Sequence, residues 1–187
     1  LKNFEFRYLE KDECFSERNR SDANWEKVQI PDYRGPADEN GRWTAFYRCR
    51  FNTEMPDEQH RVVLNCQSID YKANIYVNGN YAGSHEGFFA PFDIDITKYL
   101  RSENELIIEC HNDYTILGTG PILDGDKIYA ATGPGWDDPY TGWHHCPAGA
   151  GIIGKVTVET RPVYYIDDIF VRPDIDRDIA EVRIGVM

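Results

Sequence analysis

Ala73-Asn74-Ile75-Tyr76-Val77-Asn78-Gly79-Asn80-Tyr81-Ala82-Gly83-Ser84-His85, followed by Gly87-Phe88-Phe89-Ala90-Pro91-Phe92-Asp93-Ile94-Asp95-Ile96-Thr97, sets the class of this chain. Ala73, Ile75 and Val77 alternate with Asn74, Tyr76 and Asn78, which predicts a strand with one apolar face. Asn78-Gly79 predicts a tight hairpin, because a type I′ turn needs two residues that accept positive φ. Phe92, Ile94 and Ile96 alternate in turn with Asp93, Asp95 and Thr97. The stretch reads as strand, turn, strand, loop, strand, and it contains no catalytic dyad.

The same alternation spreads outward. Trp43, Ala45, Tyr47, Cys49 and Phe51 share one face of a strand, with Thr44, Phe46, Arg48 and Arg50 on the other. Arg61 to Gln67 places Val62, Leu64 and Cys66 inward, and Glu105 to Asn112 does the same with Leu106, Ile108 and Cys110. Phe4 to Tyr8 predicts an edge strand, and Trp25 to Ile30 another strand that stops at Pro31. Residues 10–24 and 31–42 read as loops. Lys98 to Leu100 predicts one helical turn started by Asp95 or Thr97. Lys155 to Thr160 returns to strand. No segment carries the period of a long amphipathic helix. Many short strands separated by turn signals predict an all-β chain, and the architecture expected is a jelly-roll β-sandwich.

The chain has 187 residues, enough for one domain with a sizeable core. At Arg161-Pro162 the pattern resets. Tyr164, Ile166, Ile169 and Val171 predict one strand, with an irregularity at Asp167-Asp168, and Ile179 to Met187 predicts another. Two strands cannot bury a core alone. The expected division is a jelly roll over residues 1–160 and, over 161–187, the opening of a second β-domain.

With 32 acidic and 20 basic residues the formal charge is −12. That argues against nucleic acid as a partner, because phosphate neutralisation needs clustered Lys and Arg. It argues equally against docking on an anionic membrane, and no apolar run approaches the ~20 residues of a membrane span. The 12 Tyr, 9 Phe and 4 Trp suit both a β-sandwich and a surface on which sugar rings stack. The chain begins at Leu1, which reads as a processed chain, and a periplasmic or secreted location is expected. Among the five cysteines, Cys49, Cys66 and Cys110 fall on apolar phases as small hydrophobes, and Cys14 and Cys146 lie in less regular context. No CxxC pair is present, so a zinc site is not expected. No other metal and no cofactor is expected.

Residues 113–150 break the rhythm. They are rich in Gly and Pro and hold Trp136 and Trp143. A long stretch of this kind is a functional loop or a disordered excursion, and its aromatics favour the former. Adjacent carboxylates at Asp137-Asp138 and Asp167-Asp168 point to opposite faces of a strand and do not form a glycosidase-type pair.

The ordered set of motifs resembles the N-terminal sugar-binding domain of glycoside hydrolase family 2. The residues that carry it are Trp25…Val28…Ile30-Pro31, Trp43…Tyr47-Arg48…Phe51, Val62…Leu64, and Asp70…Ala73-Asn74-Ile75-Tyr76-Val77-Asn78-Gly79. It continues through Gly83-Ser84-His85-Glu86-Gly87, Pro91 to Thr97, Asn104-Glu105-Leu106, and Gly151-Ile152 before Val156 and Val158. The resemblance implies a galactose-binding-domain-like jelly roll ahead of an immunoglobulin-like domain and a (β/α)₈ barrel. That barrel would carry both catalytic glutamates of a retaining mechanism, so the present residues are expected to be non-catalytic within a parent glycosidase. The expected ligand is a carbohydrate, a β-linked glycoside.

The resemblance also points to contact residues. Asp113 matches a place where relatives carry an Asp that reaches the sugar. Trp136-Asp137 resembles part of a mannosidase run, and His144 and His145 precede Gly151 where glucuronidases supply a polar contact. Asp accepts two hydroxyl hydrogen bonds and Trp offers a flat apolar face. The structural alternatives stay beside these roles. Asp113 starts an Asx-turn, Trp136 and Trp143 plug the core under the loop, and the two histidines are surface residues or half a metal site. Ile153-Gly154 departs from the family pattern, as does Asp138-Pro139.

Overall fold

The structure is a computed structural model that describes residues 1–8, 25–34, 42–87, 89–113 and 150–186. It is an all-β jelly-roll sandwich; the described residues hold no α-helix and one 3₁₀ turn, Thr97–Tyr99. The strands are β1 (Asn3–Tyr8), β2 (Glu26–Gln29), β3 (Asp32–Arg34), β4 (Arg42–Phe51), β5 (His60–Cys66), β6 (Ile69–Asp70) and β7 (Lys72–Val77). They continue with β8 (Asn80–Glu86), β9 (Phe92–Asp95), β10 (Asn104–Asp113), β11 (Ala150–Ile152), β12 (Val156–Pro162), β13 (Ile166–Asp174) and β14 (Ile179–Val186).

One layer is a six-stranded antiparallel sheet in the order β2-β1-β4-β10-β7-β8. The other consists of two three-stranded pieces, β3-β11-β6 and β12-β5-β9. These pieces are two halves of one broken sheet. β5 leads into β6 through Gln67-Ser68, and β11 into β12 through Ile153 to Lys155. Across the break the Gln67 amide donates to the Lys155 carbonyl at 2.9 Å, and the amides of Ile153 and Gly154 both donate to the Ser68 carbonyl at 3.1 and 3.0 Å. A Cβ on Gly154 would lie 2.5 Å from the Ser68 nitrogen, so the crossing admits only glycine without a backbone shift.

The alternation read from the sequence places the core. Ala45, Tyr47, Cys49, Phe51, Val62, Leu64, Cys66, Ala73, Ile75, Val77, Leu106, Ile108 and Cys110 are buried in one cluster between the layers. The hairpin turn has Asn78 at φ 51° and Gly79 at φ 79°, as a type I′ turn requires. Cys49, Cys66 and Cys110 are free and buried, and burial pushes the Cys66 thiol up to about 12. The 3₁₀ turn, expected over Lys98 to Leu100, lies one residue earlier at Thr97–Tyr99, where Asp95 Oδ1 accepts from the Thr97 amide at 2.9 Å. The irregularity at Asp167-Asp168 is a register shift between Ile166 and Asp168 in the β13–β14 ribbon.

Two expectations are corrected. β1 is an interior strand, because Glu26–Gln29 pairs along its outer side while β4 pairs along the other. Residues 31–42 contain β3, whose three residues are too few to show a period. The loops expected at 10–24 and the cysteines Cys14 and Cys146 lie outside the described residues.

The outward face of the six-stranded sheet has a buried layer of its own. Phe46 is 1% exposed and Arg48 6%, with Arg7, Ile107 and Glu109 also buried. Arg48 donates to Glu5 at 2.7 Å and stacks on the Trp25 ring at 4.2 Å, and Arg7 lies 5.1 Å from the same ring. Both peptide bonds Ile30-Pro31 and Asp70-Tyr71 are cis.

His85 on β8 stacks on Phe92 with ring centroids 4.2 Å apart, and its Nε2 is buried without a hydrogen-bond partner. Desolvation lowers its pKa, against a smaller opposing pull from Glu86. The unfolded chain therefore takes up this proton first as pH falls from the usual value of about 6.5. Stability from this group is full above that value and declines below it. We expect the urea midpoint to drop between pH 7 and pH 5.5, and His85→Phe to flatten that part of the profile. An identical slope in the variant would show that His85 titrates freely.

Candidate functional site

β10 and β11, each interior to its own sheet, define the edge of interest, a rim of the sandwich where the two layers meet. Asp113 closes β10, with its backbone paired to Arg42 of β4, and Ala150 opens β11, paired to Arg34 of β3. β10 and β11 are in contact. Residues 114–149 therefore leave and re-enter the fold at one end of the sandwich. The expected contact residues divide accordingly. The backbone of Asp113 is placed on this edge; Trp136, Asp137, Trp143, His144 and His145 lie outside the described residues.

Beneath this edge sits a braced polar cluster. The fully buried Tyr47 points its hydroxyl out of the core and donates to Asp32 Oδ2 at 2.8 Å. Arg34 Nε donates to the same oxygen at 2.9 Å, and its Nη1 and Nη2 reach the two oxygens of Glu26 at 2.9 and 3.2 Å. The Arg34 guanidinium lies 4.1 Å from the centroid of the Phe6 ring. The hydrogen bonds and charge of Arg34 hold the Glu26 carboxyl below the usual range. Burial, followed by the charges of Cys110 and Asp32, pushes the Tyr47 phenol far up, so it stays protonated and donates to Asp32. Asp70, a buried carboxylate on β6, pairs in register with Gly151. Burial, then Cys66, Asp70, Glu109 and Asp32, push the Cys110 thiol well above its ordinary value, which makes it inert.

The chemistry of this cluster is that of a brace. Asp32 Oδ2 accepts from a phenol and a guanidinium, which ties β3 to β4 through Tyr47. Asp167 and Asp168 sit on the exposed β13–β14 ribbon, away from the cluster. No group of three or more His, Cys, Asp or Glu among the described residues could hold a metal ion. The sequence reading missed Asp32 and Arg34 as parts of this edge; their only local signal was a charged pair around Tyr33 after a proline, which any surface loop could carry. Asp70 is among the residues that carry the resemblance, which gives it no place at this edge.

Three comparisons bear on this arrangement. The family described as Glycosyl hydrolase 2 galactose-binding domain-like matches residues 25–118. The β-glucuronidase of Rattus norvegicus is 33% identical over 135 residues, covering 68% of this chain and 20% of that protein. That of Sus scrofa is 34% identical over 136 residues, covering 66% and 20%. Among solved structures, a β-glucuronidase of an uncultured Clostridium species superposes with a TM-score of 0.68 at 20% identity, covering 99% of this chain and 32% of that one. That structural likeness concerns the fold. The chain spans about 20% of the length of these two curated relatives.

Proposed function

This chain belongs to glycoside hydrolase family 2, carrying its galactose-binding-like domain, and from that premise we propose that it is the non-catalytic N-terminal module of a retaining exo-β-glycosidase. In this reading it completes the sugar pocket with residues 113–150 and braces a catalytic barrel supplied by the rest of the protein. The parent acts on a β-linked glycoside, and its two catalytic glutamates lie on that barrel. The observation that carries the reading is the meeting of β10 and β11 across the two layers. Asp113 and Ala150 stand at both ends of the aromatic, glycine-rich stretch on these contacting strands, beside a cluster that ties β3 to β4.

The second part of the proposal concerns β13 and β14. Ile169, Val171, Val182 and Ile184 occupy one face of this ribbon in register, and all four are exposed. A two-stranded ribbon with a bare apolar face needs further strands to bury it. We read it as the opening of an immunoglobulin-like β-sandwich in the same protein.

Asp113→Ala and His145→Ala in the whole protein test the pocket role. Loss of a carboxylate that accepts sugar hydroxyls should lower kcat/KM by about tenfold to a hundredfold, at hydrogen-bond strengths of roughly 1.5–3 kcal/mol for charged partners. The retaining outcome should appear as a β-configured first product by NMR. Unchanged turnover in both variants would leave the module a scaffold. Tight sugar binding by residues 1–187 alone would make it a carbohydrate-binding module instead.

A further inference from the structure

We infer that Arg61, Arg161 and Tyr165 form an elbow that fixes the direction in which β13 leaves the sandwich. The elbow lies where β12 ends. Pro162 is the last residue of β12 and pairs with His60, the first of β5. The chain then turns under three restraints. The Val163 amide donates to the Gln59 carbonyl at 2.8 Å. Arg61 Nη2 donates to the Val163 carbonyl. The guanidinium carbons of Arg61 and Arg161 lie 5.2 and 5.8 Å from the centroid of the Tyr165 ring. Tyr164, one residue earlier, is 81% exposed, so the turn selects which of two adjacent tyrosines meets the cations.

The two arginines are held in different ways, and the difference explains the device. Arg161 is fixed from the sandwich side by Asp93 and Glu159, and Asp93 is in turn held by Asn65 at 2.8 Å. Burial alone would raise the Asp93 carboxyl, but the hydrogen bonds from Arg161 and Asn65 outweigh it and hold the carboxyl ionised. Arg61 instead has its Nε buried without a hydrogen-bond partner, while its Nη2 and its flat face turn to the junction. A half-buried guanidinium held by these two contacts favours one path of the following chain, because only that path supplies the Val163 carbonyl and the Tyr165 ring. β12 then acts as a strut. Its seven residues span roughly 20 Å at about 3.3 Å each, from the Gln67–Lys155 crossing beside β11 to the elbow. The direction of β13 is thereby tied to the sandwich rim at Ala150. This inference does not depend on what the edge binds, so it stands or falls apart from the proposed function.

The test uses the whole protein with spin labels at Lys98→Cys and Arg177→Cys, both exposed positions, in a Cys14→Ser, Cys146→Ser background. Pulsed dipolar spectroscopy should give one narrow distance distribution. Tyr165→Ala and Arg161→Ala should each broaden it, and Tyr165→Phe, which keeps the ring, should not. The Val163 amide should exchange at least about tenfold faster in Tyr165→Ala and Arg61→Ala, with the Leu64 amide unchanged. If Arg61→Ala does not fold, the partly exposed Tyr165→Ala carries the test alone. A broad distribution in the parent protein, or one that Tyr165→Ala leaves unaltered, overturns the elbow.

Discussion

Replacing Gly151 by alanine is expected to lower the unfolding free energy by about 4 kcal/mol, combining overpacking of about 1–3 kcal/mol with backbone strain of similar size. Gly151 sits in the middle of β11 at φ 154°, a conformation that L side chains rarely adopt. An added Cβ would lie 2.1 Å from the Asp32 carbonyl oxygen and 3.0 Å from the Tyr47 hydroxyl. The first is backbone, so no side-chain rotation relieves it. Either β3 or β11 must move, and movement of β3 also pulls Asp32 from Tyr47. Urea unfolding measures the loss, and a change below about 1 kcal/mol would sink the account. Gly79→Ala is the control. Its φ is 79° but nothing lies within 4 Å of the added Cβ, so it should show strain alone, about 1 kcal/mol. Because Ala150 adjoins Gly151, the first substitution should also displace the anchor of residues 114–149. Activity of the whole protein should fall with it.

Asn104→Ala is expected to cost about 3 kcal/mol, the loss of several satisfied polar groups at about 1–3 kcal/mol each with partial relaxation. Asn104 is 3% exposed. Its Oδ1 accepts from the Arg101 amide at 2.8 Å and from Asn78 Nδ2 at 2.9 Å, and its Nδ2 donates to the Arg101 carbonyl at 2.9 Å. Asn78 completes the circuit. Its Nδ2 also reaches the Tyr99 carbonyl at 2.8 Å, and its Oδ1 accepts from the Glu105 amide at 2.9 Å. One asparagine pair thus ties the hairpin turn, the 3₁₀ turn and the start of β10 together. Asn80→Ala, two residues past Asn78, should change stability by less than about 0.5 kcal/mol. Its side chain is exposed and bonds only to carbonyls of its own turn, at 3.1 and 3.4 Å. Comparable losses in the two variants would show that the asparagine circuit adds nothing beyond the turn.

The contrast between Asn78 and Asn104 shows how far local pattern reaches. Asn78-Gly79 announces a hairpin because positive φ is a property of two adjacent residues. That Asn78 is also a hub for Tyr99, Asn104 and Glu105 depends on partners more than twenty positions away. The candidate site divides the same way. Asp113 at the end of β10 was legible, since a strong strand pattern ends there and a resemblance covers it. Asp32 and Arg34 were not, since β3 is too short for a period to appear, and Asp70, although part of the resemblance, sits on the two-residue β6, where no pattern shows that it faces Gly151.

The sequence by itself determined the all-β class, the inward residues of β4, β5, β7 and β10, the hairpin at Asn78-Gly79 and the irregularity at Asp168. Each follows from steric preference or period-2 alternation within a few residues. Only the tertiary structure decided that β1 lies inside its sheet and that Phe46 and Arg48 on the outward phase are also buried. It also decided that Gly151 must be glycine because the Asp32 carbonyl occupies the place a Cβ would take. These depend on which distant strands become neighbours, and alternation fixes which way a side chain points without fixing what meets it there.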